Sequence, residues 1–237
     1  MLNVGKNLIK IMTSHELLKR YIQGVVRGYS NSLMVVSPAG LGKTEMTLNA
    51  LTEMGLTEGI NYCYFSNYLT PLSCFLALEE INYLQEPKLA IFDDFEDSLS
   101  NPRIVGLLKG ALWSLPNGQR KVMWNSGTYR IKQKEFNFTG RIIFLLNKFN
   151  RKSPLMNALA DRSLFYEMKL TKSDMIGLMS ERIKNEFKDI PYQQKLKVID
   201  LISKMKDEKV SLRVLPQALN LCRLSPNHYT ELISKLL

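Results

Sequence analysis

The sequence predicts an α/β fold: a parallel sheet covered by helices, followed by a small all-helical domain. Three observations carry this. Apolar runs of strand length alternate with helix-period segments through residues 1–170, the order expected of a parallel sheet with crossover helices. A glycine-rich stretch, SPAGLGKTEM (37–46), stands between the first such run and the helix that follows. From Thr171 onward only helical periods remain. A boundary near Leu170 therefore separates an α/β domain (1–170) from a helical one (171–237).

The elements follow in order. HELLKRYIQGVVRG (15–28) places Leu17, Leu18, Tyr21, Ile22, Val25 and Val26 on one helical face. SLMVVS (32–37) is a short apolar strand, and TEMTLNALTEM (44–54) reads as a helix. NYCYFS (61–66) is a second strand. In 70–84, Thr70 suits an N-cap and Pro71 the first helical position. KLAIFDD (88–94) has the apolar run of a buried parallel strand, ending in acids. A helix over 101–115 is stopped by Pro116, Asn117 and Gly118. RIIFLLN (141–147) and SLFYEMKL (163–170) supply two further strands. The tail predicts helices over roughly 172–188, 192–206, 212–223 and 226–236.

Composition narrows the function. The chain has 237 residues, 45% hydrophobic and 23% charged, ordinary for a globular protein that buries a core. Its net charge of +10 favours an acidic partner, nucleic acid ahead of a membrane surface. Cys63, Cys74 and Cys222 are scattered without metal-ligand spacing, and read as buried thiols of a reducing compartment. His15 and His228 belong to no cluster. The first residues do not resemble a signal peptide and no apolar run is long enough to span a bilayer, so a cytoplasmic protein without membrane contact is expected.

SPAGLGKTEM matches G-x-x-x-x-G-K-S/T at Gly42, Lys43 and Thr44, with Gly40 adding backbone freedom and Ser37 in place of the opening glycine. The chemistry needs backbone N–H groups curled around phosphates at a helix N-terminus, a lysine for the β and γ phosphates, and a hydroxyl for Mg²⁺. Ser37, Gly40, Leu41, Gly42, Lys43, Thr44 and Glu45 are therefore the candidate ATP-binding residues. A small residue suffices at the strand end, so Ser37 weakens the pattern more than the chemistry. The strand LAIFDD delivers Asp93 to the carboxyl end of the sheet, where it would hold Mg²⁺ together with Thr44; Asp94 would orient or deprotonate the attacking water.

Taken together, these motifs resemble the AAA+ ATPases over nearly the whole chain, implying a P-loop AAA+ core and a small helical lid. RIIFLLN is similar to the family's sensor-1 strand, which implies that Asn147 sits between the acids and the γ-phosphate. Asn67, just past the second strand, resembles the residue that restrains the catalytic acid in some members. LADRSLFYEM (159–168) resembles the arginine-finger stretch, with Arg162 reaching a neighbouring subunit's ATP. SLRVLPQAL (211–219) resembles the sensor-2 helix, with Ser211 as N-cap and Arg213 at the phosphates. The chain departs from the family in carrying Asp93-Asp94 where Asp-Glu is usual, and in Pro216, which would disturb the early turns of that helix.

Between the 101–115 helix and the 141–147 strand, RKVMWNS and EFNFTG flank GTYRIKQK. Alternation at Val122 and Trp124, and at Phe136 and Phe138, predicts a β-hairpin insertion at about 120–140. Its tip carries Arg130, Lys132 and Lys134, candidate DNA-phosphate contacts, with Tyr129 placed to stack on a base. The alternative is that these lysines protect a solvated edge from pairing. The position resembles the pre-sensor-1 hairpin of one AAA+ branch that includes viral helicases.

The resulting expectation is an ATP hydrolase acting at subunit interfaces of a homo-oligomer, a ring such as a hexamer or a filament. It would act on DNA, as a replicative helicase or helicase loader of a phage or mobile element, with a possible protein partner. Two other readings stay open: an ATP-gated assembly switch, and a protein-remodelling ATPase without unwinding activity.

Overall fold

The computed structural model describes residues 13–125 and 133–236. The chain divides into two units, Met1–Val36 with Thr44–Met168, and Ser37–Lys43 with Lys169–Leu237. Among the described residues no helix is long and apolar enough to cross a membrane.

The first unit begins with α1 (Ser14–Val26), started by a capping box in which Thr13 and Glu16 each accept the other's backbone N–H. Leu18, Ile22 and Val25 recur at helical spacing and are fully buried. After β1 (Ser32–Val36) come α2 (Lys43–Glu53), β2 (Tyr62–Ser66) and α3 (Pro71–Ile81). The α3 start has Thr70 as N-cap, accepting from the Ser73 N–H at 3.2 Å, and Pro71 in the first turn. The chain continues through β3 (Leu89–Asp93), a 3-10 turn at Ser98–Ser100 and α4 (Pro102–Leu112). Helix α4 stops at Leu112, short of the expected 115, because Trp113 turns extended ahead of Pro116. Then follow β4 (Lys121–Met123), β5 (Glu135–Asn137), β6 (Arg141–Leu146), α5 (Pro154–Ala160) and β7 (Leu164–Glu167).

Five strands form one all-parallel sheet in the order β2-β3-β6-β1-β7. The three inner strands are buried almost throughout, which is why each reads as an unbroken apolar run; the edge strands β2 and β7 are only partly covered. Alternate strand residues Met34, Val36, Ala90, Phe92, Phe144 and Leu146 join the core that contains α3 and α4. Helix α1 packs on β1 and β6 through the other face. Phe92 stacks on Phe65, Phe95 and Phe144 with ring centres 5.3, 4.6 and 5.8 Å apart. Phe92, Phe95 and Phe144 are fully buried and Phe65 partly so; each fully buried ring contributes roughly 1.5–3 kcal/mol.

Strands β4 and β5 pair antiparallel with Val122 opposite Phe136, and both side chains enter the same core. Arg120 is buried beside them, donating to the Ala111 carbonyl at 3.1 Å with its guanidinium over the Phe138 ring. Burial, and then the charge of Arg141, lower its pKa to about 10.

The second unit carries α6 (Lys172–Asn185), α7 (Tyr192–Ser203), a 3-10 turn at Asp207–Lys209, α8 (Val214–Leu224) and α9 (Tyr229–Leu236). Thr171 and Asp174 cap α6 reciprocally. Its last turn is closed by buried Lys195, which donates to the carbonyls of Ile183 at 2.5 Å and Glu186 at 3.0 Å. Met179, Ile183, Val198, Ile202, Leu215 and Leu219 are buried.

Two local expectations need correction. Ser211 is not an N-cap: α8 begins at Val214, with Arg213 in the cap position and no side-chain cap bond. Pro216 then falls in the first turn, where no N–H is owed to the helix, and it does not break the helix. Helix α5 was not foreseen at all.

Candidate functional site

The glycine-rich loop joins the end of β1 to the start of α2. Gly40 and Gly42 have φ of +83° and +80°, the left-handed region that glycine enters without penalty. Lys43, Thr44 and Glu45 form the first turn of α2, where the backbone N–H groups have no helical partners. Such a turn, with its positive dipole end, suits an anion. Ser37 and Leu41 are buried, and Ser37 donates to the Pro38 carbonyl at 3.3 Å. Lys43 is only 6% exposed.

In the second unit this loop meets the segment before α8. The Leu212 N–H donates to the Gly40 carbonyl at 2.9 Å. A Cβ added at Gly40 would lie 2.9 Å from the Ser211 Cβ and 3.8 Å from the Arg213 Cδ. Gly40 is thus fixed twice, by its dihedral and by this approach, and exposed Arg213 is brought to the loop.

In the first unit the carboxyl ends of three strands converge. Asp93, the last residue of β3, is 5% exposed. Its Oδ2 accepts the Thr44 hydroxyl at 2.6 Å and the Tyr64 hydroxyl at 2.7 Å, and its Oδ1 accepts the Asp94 N–H at 3.0 Å. Burial, then the hydrogen bond and charge of Asp93, push the Tyr64 phenol far above its ordinary pKa, so it remains a donor. Asp94 has φ +52°, an uncommon conformation for a residue with a side chain. Its N–H also donates to the Leu145 carbonyl of β6 at 3.0 Å, and its exposed carboxylate accepts the Asn147 side-chain amide at 2.6 Å. Glu96 completes the arrangement: its Oε1 accepts the backbone N–H of Asn147 and that of Lys148.

Thr44, Asp93, Asp94 and Asn147 are therefore joined by hydrogen bonds across β3 and β6. Tyr64 and Glu96 belong to the same group, although the motif reading passed over both. The Glu96 signal lay in the acid run after β3; Tyr64 gave none, since an aromatic in a strand is ordinary. A hydroxyl and a carboxylate are hard oxygen ligands of the kind Mg²⁺ takes alongside substrate phosphates, so Thr44 and Asp93 fit that ion.

Other candidates are placed elsewhere. Asn67, also left-handed at φ +69°, donates its N–H to the Asp93 carbonyl at 3.0 Å while its side chain donates to the Ser66 hydroxyl at 3.3 Å. Arg162 follows α5; it donates to the Ala158 carbonyl at 2.5 Å and lies 5.3 Å over the Trp113 ring. Its Nε is buried with no partner among the described residues. Lys134 is exposed, and its carbonyl accepts the Trp124 N–H at 2.7 Å. Tyr129, Arg130 and Lys132 lie outside the described residues.

No protein-family model matches the chain. It is 26% identical over 174 residues to an uncharacterized 36.7 kDa protein from the nrdC-mobD intergenic region of enterobacteria phage T4, matching 68% of this chain. The chain spans about half of that curated relative, 51%. Among solved structures it resembles a RuvB point mutant of Thermotoga maritima at a TM-score of 0.59 and 12% identity, covering 94% of this chain and 68% of that one. NtrX from Brucella abortus in complex with ATP is similar at a TM-score of 0.56 and 16% identity, over 92% of this chain and 50% of that one.

Proposed function

We propose that this chain, whose fold is that of the P-loop AAA+ ATPases, binds ATP at the Ser37–Glu45 loop and hydrolyses it. The observation that carries this reading is the bonded series Thr44–Asp93–Asp94–Asn147 at the strand ends, which begins at the motif's own threonine. The loop amides and Lys43 bind the phosphates. Thr44 and Asp93 would hold Mg²⁺, which when bound supplies positive charge against the phosphate oxygens. Asp94 orients the attacking water and takes its proton at a carboxylate oxygen; Asn147, held through its own backbone by Glu96, fixes where that carboxylate points. Asn67 is assigned to the same acid as a restraint. Arg213 serves the bound phosphates from residues 171–237, read as the lid.

Arg162 completes the site of a neighbouring subunit in a homo-oligomer. DNA is the proposed substrate of the motion. The net charge of +10 supports it, as do the basic residues Arg130, Lys132 and Lys134, which the sequence pattern assigns to a hairpin tip. The motion is assigned to replication, as a helicase or helicase loader; the uncharacterized phage T4 relative supports the phage setting alone.

The test is ATP hydrolysis against protein concentration, with and without single- and double-stranded DNA. Turnover per subunit is expected to rise with both, and to fall at least a hundredfold in Lys43→Ala and in Arg162→Ala, as for removal of a charge-stabilising group. Nucleotide binding without any DNA response, with Arg162→Ala fully active, overturns the oligomeric DNA motor and leaves the assembly-switch or remodelling reading.

A further inference from the structure

We propose that Tyr64 is a specificity-determining positioning residue that makes the Asp93 carboxylate select Mg²⁺ over larger divalent cations such as Ca²⁺. This rests on the nucleotide-binding reading above. A carboxylate has about four lone-pair sites. Three of those of Asp93 are already assigned. The Thr44 and Tyr64 hydroxyls donate to Oδ2 at 2.6 and 2.7 Å, and the Asp94 N–H donates to Oδ1 at 3.0 Å. Both hydroxyl bonds are short, as expected when the acceptor is ionised.

The two hydroxyls do different work. Thr44 spends its one proton on Asp93, which leaves its oxygen lone pairs to a cation. Tyr64 adds nothing to a cation directly. It fills the second position on Oδ2, so that Oδ2 is saturated by protons and Asp93 has one lone pair left, on Oδ1. A carboxylate with one free lone pair cannot chelate a cation through both oxygens. Ca²⁺ commonly takes carboxylates in that two-oxygen mode and accepts six to eight ligands, whereas Mg²⁺ keeps several waters and needs few protein oxygens. Tyr64 is held to this task by position: β2 pairs in parallel with β3, with Tyr64 opposite Ile91 and Ser66 opposite Asp93. The hydroxyl at the end of the ring thereby reaches the carboxylate two residues further along the neighbouring strand.

The experiment is nucleotide affinity, measured by calorimetry with ATP in Mg²⁺, in Ca²⁺ and in EDTA, on the whole chain and on Tyr64→Phe. The ring is kept, so the strand remains filled; Tyr83→Phe, at an exposed position, is the control. Thermal unfolding of each variant establishes that it is folded. The native chain is expected to bind ATP more tightly in Mg²⁺ than in Ca²⁺. In Tyr64→Phe the ratio of the two affinities should fall roughly tenfold, the equivalent of one hydrogen bond to a charged group, while the EDTA value and the control stay unchanged. An unchanged ratio in a folded Tyr64→Phe that still binds MgATP overturns the Tyr64 proposal alone. Failure of the native chain to bind ATP with either cation overturns the nucleotide reading with it.

Discussion

Replacing Gly40 with alanine tests how the phosphate loop is held in the second unit. Two costs add. At φ +83° an L-residue loses about 1–2 kcal/mol relative to glycine. The new Cβ also falls 2.9 Å from the Ser211 Cβ and 3.2 Å from its Oγ. The nearer atom is fixed to the backbone and cannot swing aside, so relief requires a shift of the 211–213 segment, typically about 1–3 kcal/mol for overpacking. The expected loss is about 2–5 kcal/mol in urea unfolding followed by far-UV circular dichroism. The contact is isolated by a double-mutant cycle with Ser211→Gly, which removes the opposing Cβ. The double variant should recover about 1–3 kcal/mol of the loss, the size of a coupling between touching residues. Ser211→Ala, which keeps the Cβ, should recover little. Hydrogen exchange at the Leu212 amide, bonded to the Gly40 carbonyl, should quicken in Gly40→Ala and slow again in the double variant. A coupling within about 0.5 kcal/mol of zero would refute the close approach as the reason for glycine here.

Glu96→Ala leaves the Asn147 and Lys148 amides without their shared acceptor. It should lower kcat roughly fivefold, one hydrogen bond's worth, with the KM for ATP held, and Glu96→Gln, which keeps an acceptor oxygen, should restore it; an equal loss in both variants would count against positioning. Asp189 is held down to about 2 by the hydrogen bond from Arg223. A depressed carboxylate contributes stability above its unfolded value, 3.8, and loses it as pH falls towards 2. Asp189→Asn should therefore flatten the fall in unfolding midpoint between those two values, and an unaltered acid limb would exclude the pair as a contributor.

The sheet was legible because each inner strand is buried on both faces, and a strand in that position has no choice but an apolar run. The starts of α3 and of the phosphate loop were legible for a similar local reason: Thr70, Pro71, Gly40 and Gly42 are demanded by their own backbone. Helix α5 escaped because its seven residues are too few to show a period. Its signals, Ser153 as N-cap and Pro154 beside it, were present but brief. Ser211 looked like a cap because serine commonly is one; its place is instead set by the Gly40 approach, a contact between residues far apart in sequence. The same holds for Tyr64, whose hydroxyl acts on a neighbouring strand. Motif spacing reports on residues that share one turn of chain, and side chains meeting across strands leave no spacing to read.

The stacking of Arg162 on Trp113 has a spectroscopic consequence. The chain contains two tryptophans, and one of them lies under this guanidinium, 5.3 Å away, with 59% of its surface exposed. An indole's emission responds to a cation on its face. In a Trp124→Phe background, any event that draws Arg162 away changes the light from a single fluorophore. The arginine assigned to the neighbouring subunit's nucleotide thus carries a built-in optical marker of whether it is at home or abroad, readable in a stopped-flow instrument without a label.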